Sequence, residues 1–177
     1  MDKGVFLTGK SRLEQTSKDG LWMLLDNELY MDADGTISLV PRYYITDNYT
    51  IPNWIAWLGG GKSQWDVRPS HQHDIICQYK QKIKVNLSLT QLRQKGLLKG
   101  KNGIIICEDI PIKYLELMPM SKTDTDNMFK RMLVATGCIS PIRANILRAG
   151  VFFNVGWYLS KAETFDLNSI YTKLTIK

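Results

Sequence analysis

The sequence predicts an α+β protein, with an N-terminal antiparallel β-hairpin or small sheet packed on a mostly helical C-terminal two-thirds. Two patterns carry this. Short apolar runs between residues 21 and 40 are broken by the turn sequence Asp32-Ala33-Asp34-Gly35, and helix-type apolar spacings recur from about residue 70 to residue 157. Size agrees: 177 residues with 44% hydrophobic and 23% charged side chains suit one folded domain, 1–177. With 13 Gly and 6 Pro, a collagen-like or low-complexity chain is excluded.

Leu21–Leu25, Glu28–Met31 and Thr36–Val40 read as strands. Asp32 to Gly35 forms a plain hairpin turn, since a calcium loop needs about twelve residues and flanking helices. Asp47 and Asn48 are turn formers, and Thr50 before Pro52 suits entry to a short helix over about 52–58 that ends at Gly59-Gly60-Gly61. Gly61-Lys62-Ser63 resembles the end of a phosphate loop, but Ala56 stands where its first glycine belongs and no strand precedes it. That motif is discarded.

Ser70 is placed as the cap of a helix running to about Gln81, and further helices are predicted over 88–95, from Thr123 or Asp124 to Gly137, and from Ser140-Pro141 onward. The last is expected to send Ile142, Ile146, Ala149, Phe153 and Trp157 to the core. The segment 159–177 reads as a C-terminal tail or an edge strand. Cys77, Cys107 and Cys138 have neither metal-knuckle nor disulfide spacing and are expected as buried reduced thiols.

Charge is concentrated. The 23 Lys and Arg against 17 Asp and Glu leave +6, and between Asp74 and Glu108 there is no acidic residue. Lys80, Lys82, Lys84, Arg93, Lys95, Lys99 and Lys101 fall in that gap, within a segment, 80–119, read as a basic insertion. Lys80 to Val85 suits a strand with one basic face or a solvated continuation of the preceding helix. The partners this points to are another protein, an anionic surface, or nucleic acid. Tyr79 is the one nearby ring, so stacking on single strands has little support. The N-terminus lacks a secretory apolar region, and the most apolar stretches fall short of the roughly 20 residues a membrane span needs. Synthesis in a cytoplasm, without export, is the expected setting.

The two histidines, His71 and His73, sit together in Ser70-His71-Gln72-His73-Asp74. Three motifs then follow one another: Thr46-Asp47-Asn48-Tyr49-Thr50-Ile51-Pro52, His73-Asp74, and Asp126-Asn127-Met128-Phe129. Their order and spacing resemble a small phage-encoded domain family of unknown function, over roughly residues 37–157. Asn48 replaces the family's usual glycine, Cys77 its usual aromatic, and Thr125 its usual small residue. The resemblance implies phage origin and a cluster of Asp47, Thr50, His73, Asp74 and Asp126.

Two readings of that cluster stand side by side. An imidazole among carboxylates can hold a divalent cation and activate water, so His73, Asp74, Asp47 and Asp126 are the candidate catalytic and metal-ligating residues of a metal-dependent hydrolase, with Thr50 as a binding residue. The same groups also suit a structural polar network tying loop to helix. In that second reading the chain is a virion or tail-associated protein whose basic segment docks a neighbour. The metal phosphohydrolases named for His-Asp need a further upstream His that this chain lacks, and the secreted phospholipases need cysteines where Ser70 and Ile76 stand.

Overall fold

The computed structural model describes residues 4–18, 20–47, 66–152 and 163–172. Strands are spread along the chain and not confined to its first third: β1 Val5–Phe6, β2 Leu13–Gln15, β3 Trp22–Leu24, β4 Glu28–Met31, β5 Ile37–Val40, β6 Ile45–Thr46, β7 Gln81–Val85, β8 Leu98–Lys101, β9 Ile104–Cys107 and β10 Leu115–Pro119. Among the described residues the helices are α1 Arg68–Tyr79, α2 Leu89–Gln94, α3 Lys122–Ala135 and α4 Pro141–Phe152. A five-stranded antiparallel sheet, ordered β1-β4-β5-β7-β10, organises the molecule, with smaller sheets β2-β3-β6 and β8-β9 beside it. The fold is therefore mixed α/β. The expected N-terminal hairpin on a helical remainder is corrected, because two of this sheet's five strands, β7 and β10, come from the stretch after residue 80.

The β4–β5 hairpin forms as its sequence predicts: Gly35 takes φ 82° and Asp34 accepts a hydrogen bond from the Thr36 amide at 2.8 Å. Register sets the faces, since paired residues share a side. Glu28↔Val40, Tyr30↔Ser38 and Ser38↔Lys84 put Glu28, Tyr30, Ser38 and Lys84 on one face, with Lys82 two residues before Lys84. Helices α1 and α3 cover that face: His71 bonds Glu28, and Arg131 bonds Asp32. The other face carries Leu29, Leu39, Ile83 and Val85, all buried. On this side Asn27 donates to the carbonyls of Cys107 and Glu108 at 3.3 and 3.1 Å, so the chain after β7 folds back over it.

The basic segment is thus built into the core at both ends. β7 and β10 pair from Gln81↔Pro119 to Val85↔Leu115, and what leaves the sheet is residues 86–114. That excursion buries Leu87, Leu92, Leu98, Cys107 and Ile110. Its helix α2 has a full capping box, Ser88 with Gln91, within the predicted 88–95.

Local corrections follow from packing. The N-cap of α1 is Val67 without a side-chain cap; Ser70 lies inside the first turn and donates to the Val67 carbonyl at 2.7 Å. α3 starts one turn earlier than Asp124 suggests, because Ser121 accepts from the Asp124 amide. α4 buries Ala144 and Leu147 and leaves Ile142 75% and Ile146 40% exposed, the reverse of the expected face. Of the thiols, Cys107 is buried, Cys77 half-buried and Cys138 exposed. The end of the chain docks through a 3-10 turn, Leu167–Ser169, with Ile170 buried and the Tyr171 hydroxyl accepting from the Ile110 amide at 2.9 Å. Thr50, the 52–58 helix, Gly61-Lys62-Ser63, Phe153 and Trp157 lie outside the described residues.

Candidate functional site

Helix α1 presents His73, Asp74 and Cys77 near Asp126 of α3, because α1 and α3 pack side by side on one sheet face. His73 Nε2 lies 3.6 Å from Asp126 Oδ1, and its Nδ1 lies 3.8 Å from Asp74 Oδ1. These separations make ion pairs without good hydrogen bonds. Phe129, one turn after Asp126, closes one side of the imidazole at 4.8 Å between ring centroids. The spacing Asp126–Phe129 therefore has a geometric use: it brings a carboxylate and a ring to the same histidine.

The acids are held by internal cations. Lys122 and Asp126 are four residues apart on α3, and the ammonium meets Asp126 Oδ2 at 2.8 Å with both side chains buried. Asp74 Oδ2 accepts from the Thr46 hydroxyl at 3.2 Å, joining β6 to α1. Burial works against a charged His73 ring, but Asp126, Asp74 and the Cys77 thiol beside it outweigh burial and hold its pKa well above the ordinary value. Burial likewise opposes ionisation of Asp126, yet His73 and then Lys122 pull its pKa below the usual carboxylate value. The consistent picture is an imidazolium between two carboxylates.

Cys77 Sγ lies 3.6 and 3.5 Å from the two ring nitrogens. Near-equal distances to both nitrogens put the sulfur over the ring face, since in the ring plane it would run into the carbon between them. Neither N–H points at the thiol. This differs from a nucleophile–base pair, in which one ring nitrogen takes the nucleophile's proton along a hydrogen bond.

Of the predicted residues, the fold brings His73, Asp74 and Asp126 together. Asp47 is exposed at the end of its described stretch; with Asp74 and Cys77 it acts on the half-buried Tyr44 phenol, whose pKa burial already drives well up. Among the described residues no group of three or more His, Cys, Asp and Glu side chains is arranged to hold a metal ion. The Lys122 ammonium stands on Asp126 Oδ2, while Oδ1, the oxygen facing His73, is buried without a hydrogen-bond partner among the described residues.

The basic residues do not form one face. Lys82 is buried, with Asp34 and Asp32 partly offsetting a burial that lowers its pKa. Lys80 is half-buried as the left-handed cap of α1 and donates to the Cys77 carbonyl at 2.8 Å. Lys84 pairs with Glu116 and Lys99 with Glu108. Arg93, Lys95 and Lys101 remain exposed. Lys95 and Lys113 flank Tyr114, their ammonium groups 5.4 and 5.1 Å from its ring centroid, with Lys95 the main cause of a lowered phenol pKa.

Sequence reasoning passed over a second polar cluster. His71 is fully buried and meets both Glu28 oxygens at 3.0 and 3.1 Å, and Ser11 donates to Glu28 as well. Burial lowers the His71 pKa, but the Glu28 charge and hydrogen bond raise it overall. Nothing local links residues 11, 28 and 71. The turn beside this cluster did carry a signal: Asn102-Gly103, both at positive φ, is the strongest short hairpin sequence and joins β8 to β9.

Among the described residues no helix is long and apolar enough to cross a membrane. No protein-family model, curated protein or solved structure matches this chain.

Proposed function

We propose that the chain is a phage-encoded accessory binding protein, that it docks an acidic protein surface through residues 86–114, and that the His73 cluster is an internal brace. One observation carries this reading: the acids suited to chemistry face cations inside the fold, while Arg93, Lys95, Lys101 and Lys113 are exposed and make no ion pair among the described residues. An imidazolium with a carboxylate at each nitrogen is poorly placed to act as a general base, which favours bracing over hydrolysis. The pairing of Lys84 and Lys99 with acids breaks the basic stretch into small patches. Such patches suit a protein surface better than a duplex backbone, where a charge-driven site gathers about six to ten phosphate contacts. The phage setting rests on the sequence resemblance, and incorporation into particles is a further part of the proposal.

The test is titration with a labelled oligo-glutamate peptide and, separately, with a labelled DNA duplex at rising salt. Peptide binding should weaken with salt, disappear in the combined Arg93→Glu, Lys95→Glu, Lys113→Glu variant, and persist in folded His73→Gln. Tighter binding to the duplex, or indifference to the charge reversals, would reject the proposal. Mass spectrometry of purified particles tests the virion location.

A further inference from the structure

We infer that the cleft between residues 8–12 and the β8–β9 hairpin binds a small amphipathic carboxylate. This goes beyond the docking reading: the cleft takes its second wall, Lys101 to Ile106, from the same 86–114 excursion, but none of Arg93, Lys95 and Lys113 lines it. The cleft, about 180 Å³, lies between residues 8–12 and the hairpin residues Lys101, Asn102 and Ile104–Ile106, and its lining also includes Asp26, Asn27 and Glu28.

Its floor is built and rigid. Arg68 donates to the carbonyls of Thr8 and Gly9 at 2.6 and 3.1 Å while its guanidinium lies 4.3 Å over the Phe6 ring. The Gly9 amide donates to the Ile105 carbonyl at 2.8 Å. A Cβ at Gly9 would stand 2.2 Å from the Ile104 side chain, so glycine is what lets the hairpin tip come this close. Glu28, 2% exposed, faces His71 and Ser11, leaving little of its charge to repel an anion.

The walls decide the ligand class. Ile104, 51% exposed at the hairpin tip, stands against Gly9 on the face it shares with its cross-strand partner Lys101, an apolar surface that association would cover; Ile105, 45% exposed, alternates to the other face. Arg12 is paired with Asp26. Lys10 and Lys101, one on each wall, are exposed and make no ion pair among the described residues. Lys101 beside Ile104, with Lys10, whose charge also acts on Asp66, on the facing wall, complements a short apolar chain ending in a carboxylate. Such a group has two sources, a free alkyl carboxylic acid and the C-terminal apolar residue of a peptide.

Amide chemical shifts read the test, with hexanoate and N-acetyl-leucine as probes and hexylamine as the charge control. Both carboxylates should give saturable shifts at Gly9, Asn102 and Ile105, and hexylamine none. Lys10→Ala and Lys101→Ala should each weaken binding by about tenfold, the effect of losing one charge-assisted contact. Ile104→Asp should abolish binding while leaving shifts distant from the hairpin unchanged. Stronger binding of hexanoate assigns the site to free acids, and stronger binding of N-acetyl-leucine assigns it to peptide termini. Absence of shifts with both, equal binding of hexylamine, or unchanged affinity in both lysine variants would overturn the inference. The oligo-glutamate titration reads Arg93, Lys95 and Lys113, so either surface can fail while the other stands.

Discussion

Lys122 and Asp126, one turn apart on α3, meet at 2.8 Å in the interior, with 8% and 1% of their side chains exposed. Removing one partner of a buried pair strands the other charge. Lys122→Ala should therefore destabilise the fold by about 3–5 kcal/mol, whereas Lys122→Met with Asp126→Leu should cost less, because neither charge of the pair is stranded and His73 keeps Asp74. Urea unfolding of the three proteins checks this; equal losses in the single and double variants would contradict it.

Stability should depend on pH from both sides. The folded-state pKa values of His71 and His73 are raised above 6.5, so their contribution is complete below pH 6.5 and is lost as pH rises through the folded values. Asp32 and Asp126 are lowered from 3.8, so theirs is present above that value and lost as pH falls through the folded ones. Urea midpoints should peak in the mildly acidic range and decline toward alkaline pH. Removing His71 and His73 together should flatten the alkaline limb in whatever folded protein remains.

The orientation of α4 makes a paired prediction. Leu147 is fully buried and Ile142 is 75% exposed. Leu147→Ala should cost about 2–5 kcal/mol. Ile142→Ala should stay within about 0.5 kcal/mol. Equal costs would show the helix turned toward the other face.

Gly4 is crowded for a different reason from a turn glycine. A Cβ there would come within 2.2 Å of the Met31 carbonyl oxygen, a backbone atom of the paired strand that has no rotamer to escape by. Gly4→Ala should destabilise by about 1–3 kcal/mol through displacement of β1. Thermal unfolding and amide exchange at Val5 and Phe6 would report it.

Thiol reactivity should rank by exposure. Cys138 is exposed and should alkylate first, and half-buried Cys77 more slowly. Cys107 is buried, with its pKa pushed up to about 12 by that burial and then by Asp109 and Glu108, so it should react only on unfolding. Counting iodoacetamide adducts by mass spectrometry with and without urea decides the order.

Patterns that live within one element were readable. The Asp32–Gly35 hairpin, the helix within 88–95 and the Pro141 helix entry each depend on neighbours within about four residues, and the structure has all three. His73, Asp74 and Asp126, which the motifs set in order, lie near one another in the fold. What escaped notice there was Lys122, which reads as a solvated lysine at a helix start until α1 covers it.

The linear chain set the turns, caps and short-range periodicities, because those are decided by backbone preferences and side chains one turn away. Pairing of β7 with β5, the buried face of α4, the Glu28–His71 contact across 43 positions and the conversion of seven basic residues into scattered patches all required the folded chain. Each depends on which distant segment arrives to desolvate or neutralise a side chain. That arrival set His73 between Asp74 and Asp126 and placed the Lys122 ammonium on Asp126.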